Sequence, residues 1–255
     1  MRSILFLFII ILFAQTTMAQ NTVASIIIKG NIKTKDYVIF RELEFEKNER
    51  YSAEELSKYI YQSEQNLVNL NLFNFIEIIK EKNKNNFYIT IILVERWYFL
   101  PYPIMEISER NFNTWWNEFS DNDYSDFSRL NYGVFLNWEN FRGENQILRM
   151  KIRKGFKEHY LLAYEVPYFD RKKTIGINTN LQFFRRKKTH FKSYDNKLKY
   201  FESNTFSSID YDLNTEIIYR NNIHQKHKLK LSCLVSIVSD SIIILNSNYL
   251  NNTDL

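Results

Sequence analysis

Three consecutive segments within residues 129–170 alternate apolar and polar side chains with a period of two, and this pattern constrains the fold more than any other feature. The apolar positions of the three segments are Leu130, Tyr132, Val134, Leu136 and Trp138, then Leu148, Met150 and Ile152, then Tyr160, Leu162, Tyr164, Val166 and Tyr168. A period of two indicates β-strands with one face in an apolar medium. Each segment has about ten residues, the length that a tilted strand needs to cross a bilayer. Because intervening positions carry full charges, we expect the polar face to line a wet lumen rather than a sandwich core.

The composition agrees with membrane-spanning strands and excludes a helical membrane protein. The 255 residues are 45% hydrophobic and 16% aromatic, and the mean hydropathy is -0.39. A transmembrane β-barrel has such a polar composition because only alternate residues face the lipid. The one cysteine, Cys233, excludes an internal disulfide and a cysteine-based metal cluster, and its place among alternating apolar residues predicts an ordinary strand position.

The N-terminal residues have the pattern of a secretory signal peptide. Arg2 supplies a positive charge, residues 4–14 are uniformly apolar, and Thr17 and Ala19 are small residues at the cleavage positions. The apolar run is about half of the length that a transmembrane helix needs. We therefore predict a signal peptide over residues 1–19, with cleavage between Ala19 and Gln20. No comparable apolar run follows, so membrane insertion must use strands.

Residues 20–96 are predicted to form one small domain of mixed helices and strands. A strand that ends in a Gly-Asn turn comes first, followed by a short helix for which Thr34 is a candidate cap. Ser52 and Glu55 form a capping box at the start of a second helix. Two alternating segments joined by a turn near residues 83–85 form a final hairpin. The predicted order is strand, helix, helix, strand, strand.

This element order resembles that of a POTRA domain, and short motifs inside it resemble the same family. The motifs are Gly30-Asn31, Thr34, Arg41-Glu42-Leu43, Asn66-Leu67 and Leu72-Phe73. POTRA domains receive unfolded client proteins or partner subunits in the periplasm, and the physical means is addition of an extended peptide to a free sheet edge. The resemblance implies such an edge at Phe75, Glu77 and Ile79. Arg41 and Glu42 are expected to be solvated helix charges rather than a binding site.

The strand-rich half resembles the start of the barrel in the BamA/TamA family, which assembles or secretes proteins at the bacterial outer membrane. The resemblance rests on the three opening strands, the short turn at residues 140–145 and the sequence Val-Pro-Tyr-Phe-Asp at residues 166–170. It implies an α+β fold class, in which a POTRA-like βααββ module over residues 20–96 precedes an antiparallel transmembrane β-sheet over residues 97–255. That sheet would be a partial β-barrel of about eight strands in the outer membrane, with the first domain in the periplasm.

Alternation continues in three further segments and more weakly in a fourth. These segments are residues 174–183, 205–219, 228–238 and 241–250. Two long loops, near residues 109–128 and 186–204, lie on the side opposite to the shorter connections. Outer-membrane barrels keep short turns in the periplasm and long loops outside. Trp115 and Trp116 in the first long loop are therefore expected near the lipid interface.

Pro101 and Pro103 interrupt the segment between the two predicted halves. Proline cannot donate a hydrogen bond to a strand ladder, so a strand here must be an edge or a poorly paired one. In the family, the first barrel strand forms the weak seam at which the barrel opens sideways, and the resemblance implies such a seam at this pair. A plain linker between the domains explains the prolines equally well. We expect the POTRA-like sheet to end near Arg96 and the barrel to begin at or just after the pair.

Three clusters have a chemical interpretation and, beside it, a simpler one. A basic run over residues 185–199 with interleaved aromatic side chains resembles an RNA-binding pattern, but behind a signal peptide we expect it to contact anionic lipid headgroups. His224 and His227 have no nearby cysteine or carboxylate, so a solvated turn is favoured over a metal site. Ser208 lies beside Asp210 but shares its strand face with no histidine. The sequence therefore predicts no enzyme activity, no cofactor, no metal and no nucleic-acid partner.

The predicted partners are outer-membrane lipid, unfolded outer-membrane protein clients and periplasmic assembly partners. The leading hypothesis is a factor for the insertion or translocation of outer-membrane proteins. The family barrel has about sixteen strands and ends in an aromatic residue, whereas this sequence stops at Leu255 without those features. We therefore expect a truncated product or fragment, or a sheet that completes itself in another way. The alternatives are a closed eight-strand barrel with a structural or adhesive role, and an outer-membrane hydrolase that uses Ser208.

Overall fold

The structure is a computed structural model that describes residues 20–108, 111–170, 172, 174–222 and 225–249. The chain divides into two compact units, which meet in sequence between Arg96 and Trp97. The predicted signal peptide, including Ala19, lies outside the described residues, and so does His224. Within the described part of the chain, no helix is long and apolar enough to cross a membrane.

In the described residues, from Gln20 onward, the first unit is a four-stranded sheet with two helices. Its elements are β1 (Asn21–Lys29), α1 (Asp36–Phe40), β2 (Arg50–Tyr51), α2 (Ala53–Asn69), β3 (Phe73–Asn83) and β4 (Asn86–Glu95). The strand order is β2-β1-β4-β3, in which β1 and β4 are parallel and the other neighbours are antiparallel. The predicted order of strand, helix, helix, strand and strand is confirmed. The structure also contains the two-residue strand β2 between the helices, which the sequence does not predict.

Helix α2 and the inner face of the sheet enclose a hydrophobic core within this unit. The buried apolar side chains of this core are Val23, Ile39, Phe45, Leu56, Leu67, Phe87, Ile89, Ile91 and Leu93. Every second residue of β4 contributes a side chain, as expected for a strand with one face against helices. Because the core is made by residues of this unit, the unit has the property that allows a domain to fold by itself.

The capping box at the start of α2 forms as the sequence predicts. The Ser52 hydroxyl accepts the Glu55 N–H at 3.2 Å, and the Glu55 carboxylate accepts the Ser52 N–H at 3.0 Å. Hydrogen bonds to the Glu55 carboxylate, first from the Ser52 backbone and then from the Ser52 side chain, lower the pKa of Glu55 below its usual value. The predicted cap residue Thr34 lies one residue before the observed N-cap position of α1. Lys35 holds the N-cap position, and the backbone N–H of the buried Thr34 donates to the Glu95 carboxylate at 2.6 Å.

Arg41 and Glu42 are not the solvated charges that the sequence predicts. Nε of Arg41 lies 3.3 Å from a carboxylate oxygen of Glu42, and their side chains are only 10% and 7% exposed. The reason is that α1 ends at Phe40 and the following chain turns back over α2. There the Asn66 side chain donates to the Glu42 carbonyl at 3.1 Å, and the Ser63 hydroxyl accepts the Glu44 N–H at 2.9 Å.

Over its described residues, the second unit is a seven-stranded antiparallel sheet, accompanied by a hairpin and two helices. Its elements are β5 (Phe99–Ile107), α3 (Phe112–Asp121), β6 (Leu130–Phe141), β7 (Gln146–Gly155), β8 (Lys157–Val166), β9 (Ile175–Arg186), β10 (Lys188–Tyr194), β11 (Lys197–Glu202), β12 (Ser208–Asn222), β13 (Gln225–Val238) and α4 (Asp240–Leu245). The order in the sheet is β13-β12-β9-β8-β7-β6-β5, and β10 pairs with β11 as a separate hairpin. The predicted fold class, a POTRA-like module followed by an antiparallel sheet, is confirmed.

The alternation along the strands separates an apolar face from a polar face. One apolar row crosses all seven strands in register through Pro101, Leu136, Met150, Leu162, Leu181, Leu213 and Cys233. The neighbouring row on the polar face runs through Asn137, Arg149, Ala163, Asn180, Asn214 and Ser232. A slip of one residue would exchange the two faces along a whole strand, so these rows specify the register.

The connections of this sheet lie at two ends. The turn end joins β6 to β7, β8 to β9 and β12 to β13, whereas the loop end holds α3, Phe156, the hairpin of β10 and β11, and α4. The two expected long loops therefore contain regular structure. The prediction of a weak strand at residues 241–250 is wrong, because Asp240–Leu245 form helix α4, in which Ile242 is buried. In the described residues β5 and β13 are the two edges and do not pair, so the closed eight-strand barrel is not formed there.

Candidate functional site

Strand β3 forms one edge of the sheet in the first unit. Among the described residues it pairs with β4 alone, so its other side is an open edge. The three predicted edge residues, Phe75, Glu77 and Ile79, alternate with Ile76 and Ile78, which pack against the core. They therefore lie on the outer face of the sheet, where Phe75 and Glu77 are exposed and Ile79 is half-buried. An open edge is a template for pairing with another extended chain.

An apolar surface adjoins this edge on the outer face of the sheet. Val94 lies opposite Phe75 in register, and Ile92 lies opposite Glu77. Ile27, Phe75 and Val94 are 49%, 50% and 50% exposed. Sequence reasoning misses Ile27, Ile92 and Val94 as surface residues, although the unbroken apolar runs that contain them already indicate strands that are apolar on both faces.

Strand β5 forms one edge of the larger sheet and contains both Pro101 and Pro103. Among the described residues it pairs with β6 alone, so it is the edge strand that two prolines require. The plain linker is therefore not what the structure shows. The strand also starts at Phe99, before the pair, and not at or after it, because an edge strand accommodates proline.

The two prolines occupy backbone positions that face away from β6. Even-numbered residues face β6: the Ser108 N–H donates to the Arg129 carbonyl at 2.9 Å, and the Tyr98 carbonyl accepts the Glu139 N–H at 2.8 Å. Hydrogen-bonded and non-hydrogen-bonded residues alternate along an antiparallel pair. The odd-numbered prolines therefore direct their backbone nitrogens towards the open edge. Because proline has no N–H, this edge lacks a donor at two successive outward-facing positions.

Aromatic side chains lie at both ends of the apolar face. At the turn end, the ring centroids of Phe99 and Trp138 are 5.4 Å apart. At the loop end, the Phe183 ring lies 5.8 Å from that of Tyr160 and 4.9 Å from that of Tyr211. Aromatic girdles at both ends of an apolar band are typical of outer-membrane barrels.

Helix α3 gathers further aromatic side chains at the loop end. Trp115 and Phe119 stack with their centroids 4.9 Å apart and are buried. Phe112 and Trp116 are 60% and 45% exposed, so the helix has one covered and one open aromatic side. A helix of this kind suits a membrane interface, and the placement of Trp116 there stays a prediction.

The Val-Pro-Tyr-Phe-Asp segment shapes the connection between β8 and β9. The Asp170 carboxylate accepts the N–H groups of Thr174 and Ile175 at 2.8 and 2.7 Å. Burial alone raises the pKa of Asp170, but these bonds and that from the Thr174 hydroxyl outweigh it and hold the pKa below its usual value. A Cβ at Gly176 would lie 2.7 Å from the Pro167 carbonyl oxygen, so the close approach of the two backbones requires glycine.

Oppositely charged side chains pair between neighbouring strands on the polar face. Arg149 contacts Glu165 at 3.2 Å, and Lys228 contacts Glu216 at 2.8 Å. A polar groove of about 350 Å³ lies between these strands, and Asn178 is one of the residues that line it. Charges that are paired and partly exposed are what we expect of a strand face that lines a wet lumen.

The residues considered for hydrolysis or metal binding contact neighbouring side chains of the sheet and the hairpin. The Thr189 hydroxyl donates to the Ser208 hydroxyl at 3.0 Å, and Ser208 is buried. The Asp210 carboxylate pairs with Arg186. His227 stacks on Tyr219 with centroids 6.3 Å apart. Within the described ranges, no group of three side chains could hold a metal ion.

Comparisons with known proteins give a family match for the first unit and a structural likeness that covers most of the chain. Residues 21–96 match the family model of POTRA, the surface antigen variable number repeat. No curated protein matches the chain. Among solved structures, the chain is similar to BamA from Haemophilus ducreyi lacking POTRA domains 1-3, with a TM-score of 0.56 and 14% identity over 85% of this chain and 36% of that chain. A weaker likeness, with a TM-score of 0.45 and 13% identity, covers 86% of this chain and 39% of CdiB from Acinetobacter baumannii.

Fold and site together define a class: a POTRA domain followed by an antiparallel sheet with the fold of part of an outer-membrane barrel. The architecture is that of the BamA/TamA-like proteins, and the resemblance that the sequence motifs imply is confirmed. At 14% identity the structural likeness shows the fold alone, and the chain spans 36% of the length of the BamA structure.

Proposed function

We propose that the chain acts in the insertion or translocation of outer-membrane proteins, and that its POTRA domain receives extended client polypeptides. The observation that carries this proposal is the open edge of β3 beside exposed apolar side chains. A client strand pairs its backbone with the edge, and its alternate side chains pack near Phe75 and Val94. Because the hydrogen bonds use only backbone groups, one edge accepts many client sequences.

We propose that the second unit spans the outer membrane and that the first unit lies in the periplasm. On β12 the outward-facing Tyr211 and Tyr219 are eight residues apart. At about 3.3 Å per residue they are about 26 Å apart along the strand, and a tilt near 40° reduces the height to about 20 Å. This height approaches that of the apolar band in outer-membrane barrels. The chain enters β5 at the turn end, and short turns of such barrels lie in the periplasm.

The open edge of β5 is the proposed seam through which a client strand enters the sheet. Two absent donors at Pro101 and Pro103 leave any partner strand with two carbonyls that this edge cannot satisfy. Each absent hydrogen bond reduces the stability of the pairing by about 1 kcal/mol, so a partner strand here separates more readily than elsewhere in the sheet. The proposed role is binding and transfer of polypeptides, with outer-membrane lipid and periplasmic assembly proteins as further partners and no cofactor.

A photo-crosslinking experiment tests the client-binding edge. Phe75 is replaced by a photoreactive phenylalanine analogue, and the matched control carries the same analogue at Tyr61, an aromatic residue on α2 that is 64% exposed. The probe is a synthetic peptide with the sequence of Ser208–Asn222, a strand with the alternation of an outer-membrane protein.

The expected result is crosslinking of the peptide at position 75 and little at position 61. A scrambled peptide of equal composition, which breaks the alternation, should crosslink less at position 75. Equal yields at the two positions, in variants whose circular dichroism is unchanged, would count against the β3 edge as the client site.

A further inference from the structure

The hairpin of β10 and β11 concentrates positive charge at the loop end of the sheet. Residues 187–202 contain five lysines and two carboxylates, those of Asp195 and Glu202. The Glu202 carboxylate contacts Arg129 at 2.6 Å and lies opposite Lys188, at the end of the hairpin away from Lys192, Lys197 and Lys199. The hairpin therefore presents a surplus of cations on a two-stranded support.

The strand register brings three of these lysines onto one face. Lys192 lies directly opposite Lys199, and two residues along each strand Tyr194 lies opposite Lys197. Directly opposite residues have Cβ atoms about 5 Å apart, and like charges at such positions are destabilising. All three lysines are exposed. None of the three forms an ion pair with another described residue, whereas Nζ of Lys192 lies 5.7 Å from the Tyr194 ring centroid.

We propose that this three-lysine face, formed by Lys192, Lys197 and Lys199, binds the phosphate groups of anionic lipid headgroups. The inference rests on the proposal that the sheet spans a membrane. Phe183, in the aromatic girdle of the loop end, precedes the first residue of β10, Lys188, by five residues, so the hairpin begins just beyond the girdle. Aromatic girdles lie at the level of the membrane–water interface, and the headgroup phosphates lie immediately beyond it. A phosphate between Lys192 and Lys199 would also relieve their mutual repulsion.

The test uses the full chain, refolded in micelles of an uncharged detergent that contain either phosphatidylglycerol or phosphatidylcholine. Lipid retained by the protein is measured by native mass spectrometry over a titration of lipid and of salt. The variant K192Q/K197Q/K199Q removes the face. The matched control K33Q/K47Q/K58Q removes the same charge from exposed lysines of the first unit. Insertion is followed separately as protease resistance of the chain in phosphatidylcholine vesicles, which needs no lysine–phosphate contact.

The wild-type chain should retain phosphatidylglycerol in preference to phosphatidylcholine, and less of it as salt rises. One basic residue near an anionic surface contributes about a fivefold factor in affinity, so K192Q/K197Q/K199Q should weaken retention by about 100-fold. The control variant should retain phosphatidylglycerol as the wild type does.

Each other outcome has a separate meaning. Equal loss in both variants would show only long-range attraction and overturn the proposal. Displacement of phosphatidylglycerol by inorganic phosphate at matched phosphate concentration would identify free phosphate as the ligand and also overturn it, as would lysine-dependent binding of single-stranded RNA without lipid retention. A chain that acquires no protease resistance in vesicles would contradict the membrane-spanning function itself, whereas normal insertion without lipid preference would contradict the lysine face alone.

Discussion

Arg41 and Glu42 are neighbours in sequence, and their side chains form a nearly buried ion pair in which Nε of Arg41 lies 3.3 Å from a carboxylate oxygen of Glu42. Both residues belong to a motif that resembles the POTRA family, and their burial gives that motif a structural role. The pair follows α1 directly, where the chain turns back and the Glu42 carbonyl accepts the side-chain N–H of Asn66. Loss of either charge leaves the other in a poorly solvated position.

Replacement of Glu42 by Gln should therefore lower the free energy of unfolding of residues 20–96 by about 3 kcal/mol, because it breaks a nearly buried ion pair. Urea unfolding followed by circular dichroism measures this change. The matched control is Glu46→Gln, four residues further along and exposed, which should change the free energy by less than about 0.5 kcal/mol. Equal effects of the two substitutions would contradict a stabilising role for the pair.

The capping box of α2 should make the stability of the POTRA domain depend on pH. Hydrogen bonds from Ser52 lower the pKa of Glu55, so the unfolded chain binds this proton more readily than the folded domain. The stabilisation is fully present above the unfolded pKa of about 4.3 and is lost as the pH falls through the lower folded pKa. Glu55→Gln keeps a capping side chain but does not titrate. The difference in unfolding midpoint between wild type and variant should shrink on acidification from neutral pH, and a constant difference would contradict this assignment.

Much of the fold is predictable because the alternation of apolar and polar residues along each strand shows which face lies in an apolar medium. Met150 and its neighbours in β7 alternate with Arg149 and Lys151, and the register rows confirm both faces. The hairpin of β10 and β11 was harder to predict because it lies in a polar stretch. Its turn nevertheless has a sequence signal, the dipeptide Asp195-Asn196. Both residues have positive φ, 50° and 54°, as in two-residue hairpin turns.

Other features depend on interactions that a single sequence does not reveal. The apolar run that contains Ile242 has no periodicity that separates a short helix from a strand, and tertiary burial of Ile242 accompanies the helix. The candidate edges depend on strand order, which alternation does not encode. Pro101 and Pro103 predict an edge strand, but only the observed bonds of Ser108 and Tyr98 to the neighbouring chain show which side of β5 the prolines face.

Asn131 connects two segments of the loop end and should be important for the stability of the sheet. Its side chain is 1% exposed, donates to the Ser108 hydroxyl and accepts the Lys157 N–H at 2.8 Å. Asn131→Ala removes both bonds and should lower the free energy of unfolding by about 2 kcal/mol. The measurement is urea unfolding of the full chain in detergent micelles, followed by tryptophan fluorescence. Asn180→Ala, which loses only bonds of 3.4 Å, should have a smaller effect, and the reverse order would contradict the role of Asn131.

The prolines of β5 provide the most direct test of the proposed seam. Pro101→Ala and Pro103→Ala together restore two backbone donors on the open edge, while the bonds to β6 stay as they are. At about 1 kcal/mol for each restored bond, pairing of this edge with another strand should strengthen by about 2 kcal/mol, or about 30-fold in an association constant.

Sedimentation of the full chain in uncharged detergent micelles measures this change as self-association, because an open edge pairs with any available strand. The control is Pro167→Ala, which removes the third proline of the chain from the connection between β8 and β9 and leaves the edge as it is. We expect the double variant to associate more strongly than both the wild type and the control. If all three associate equally, the two missing donors do not limit strand pairing at β5, and the seam must be sought at another edge.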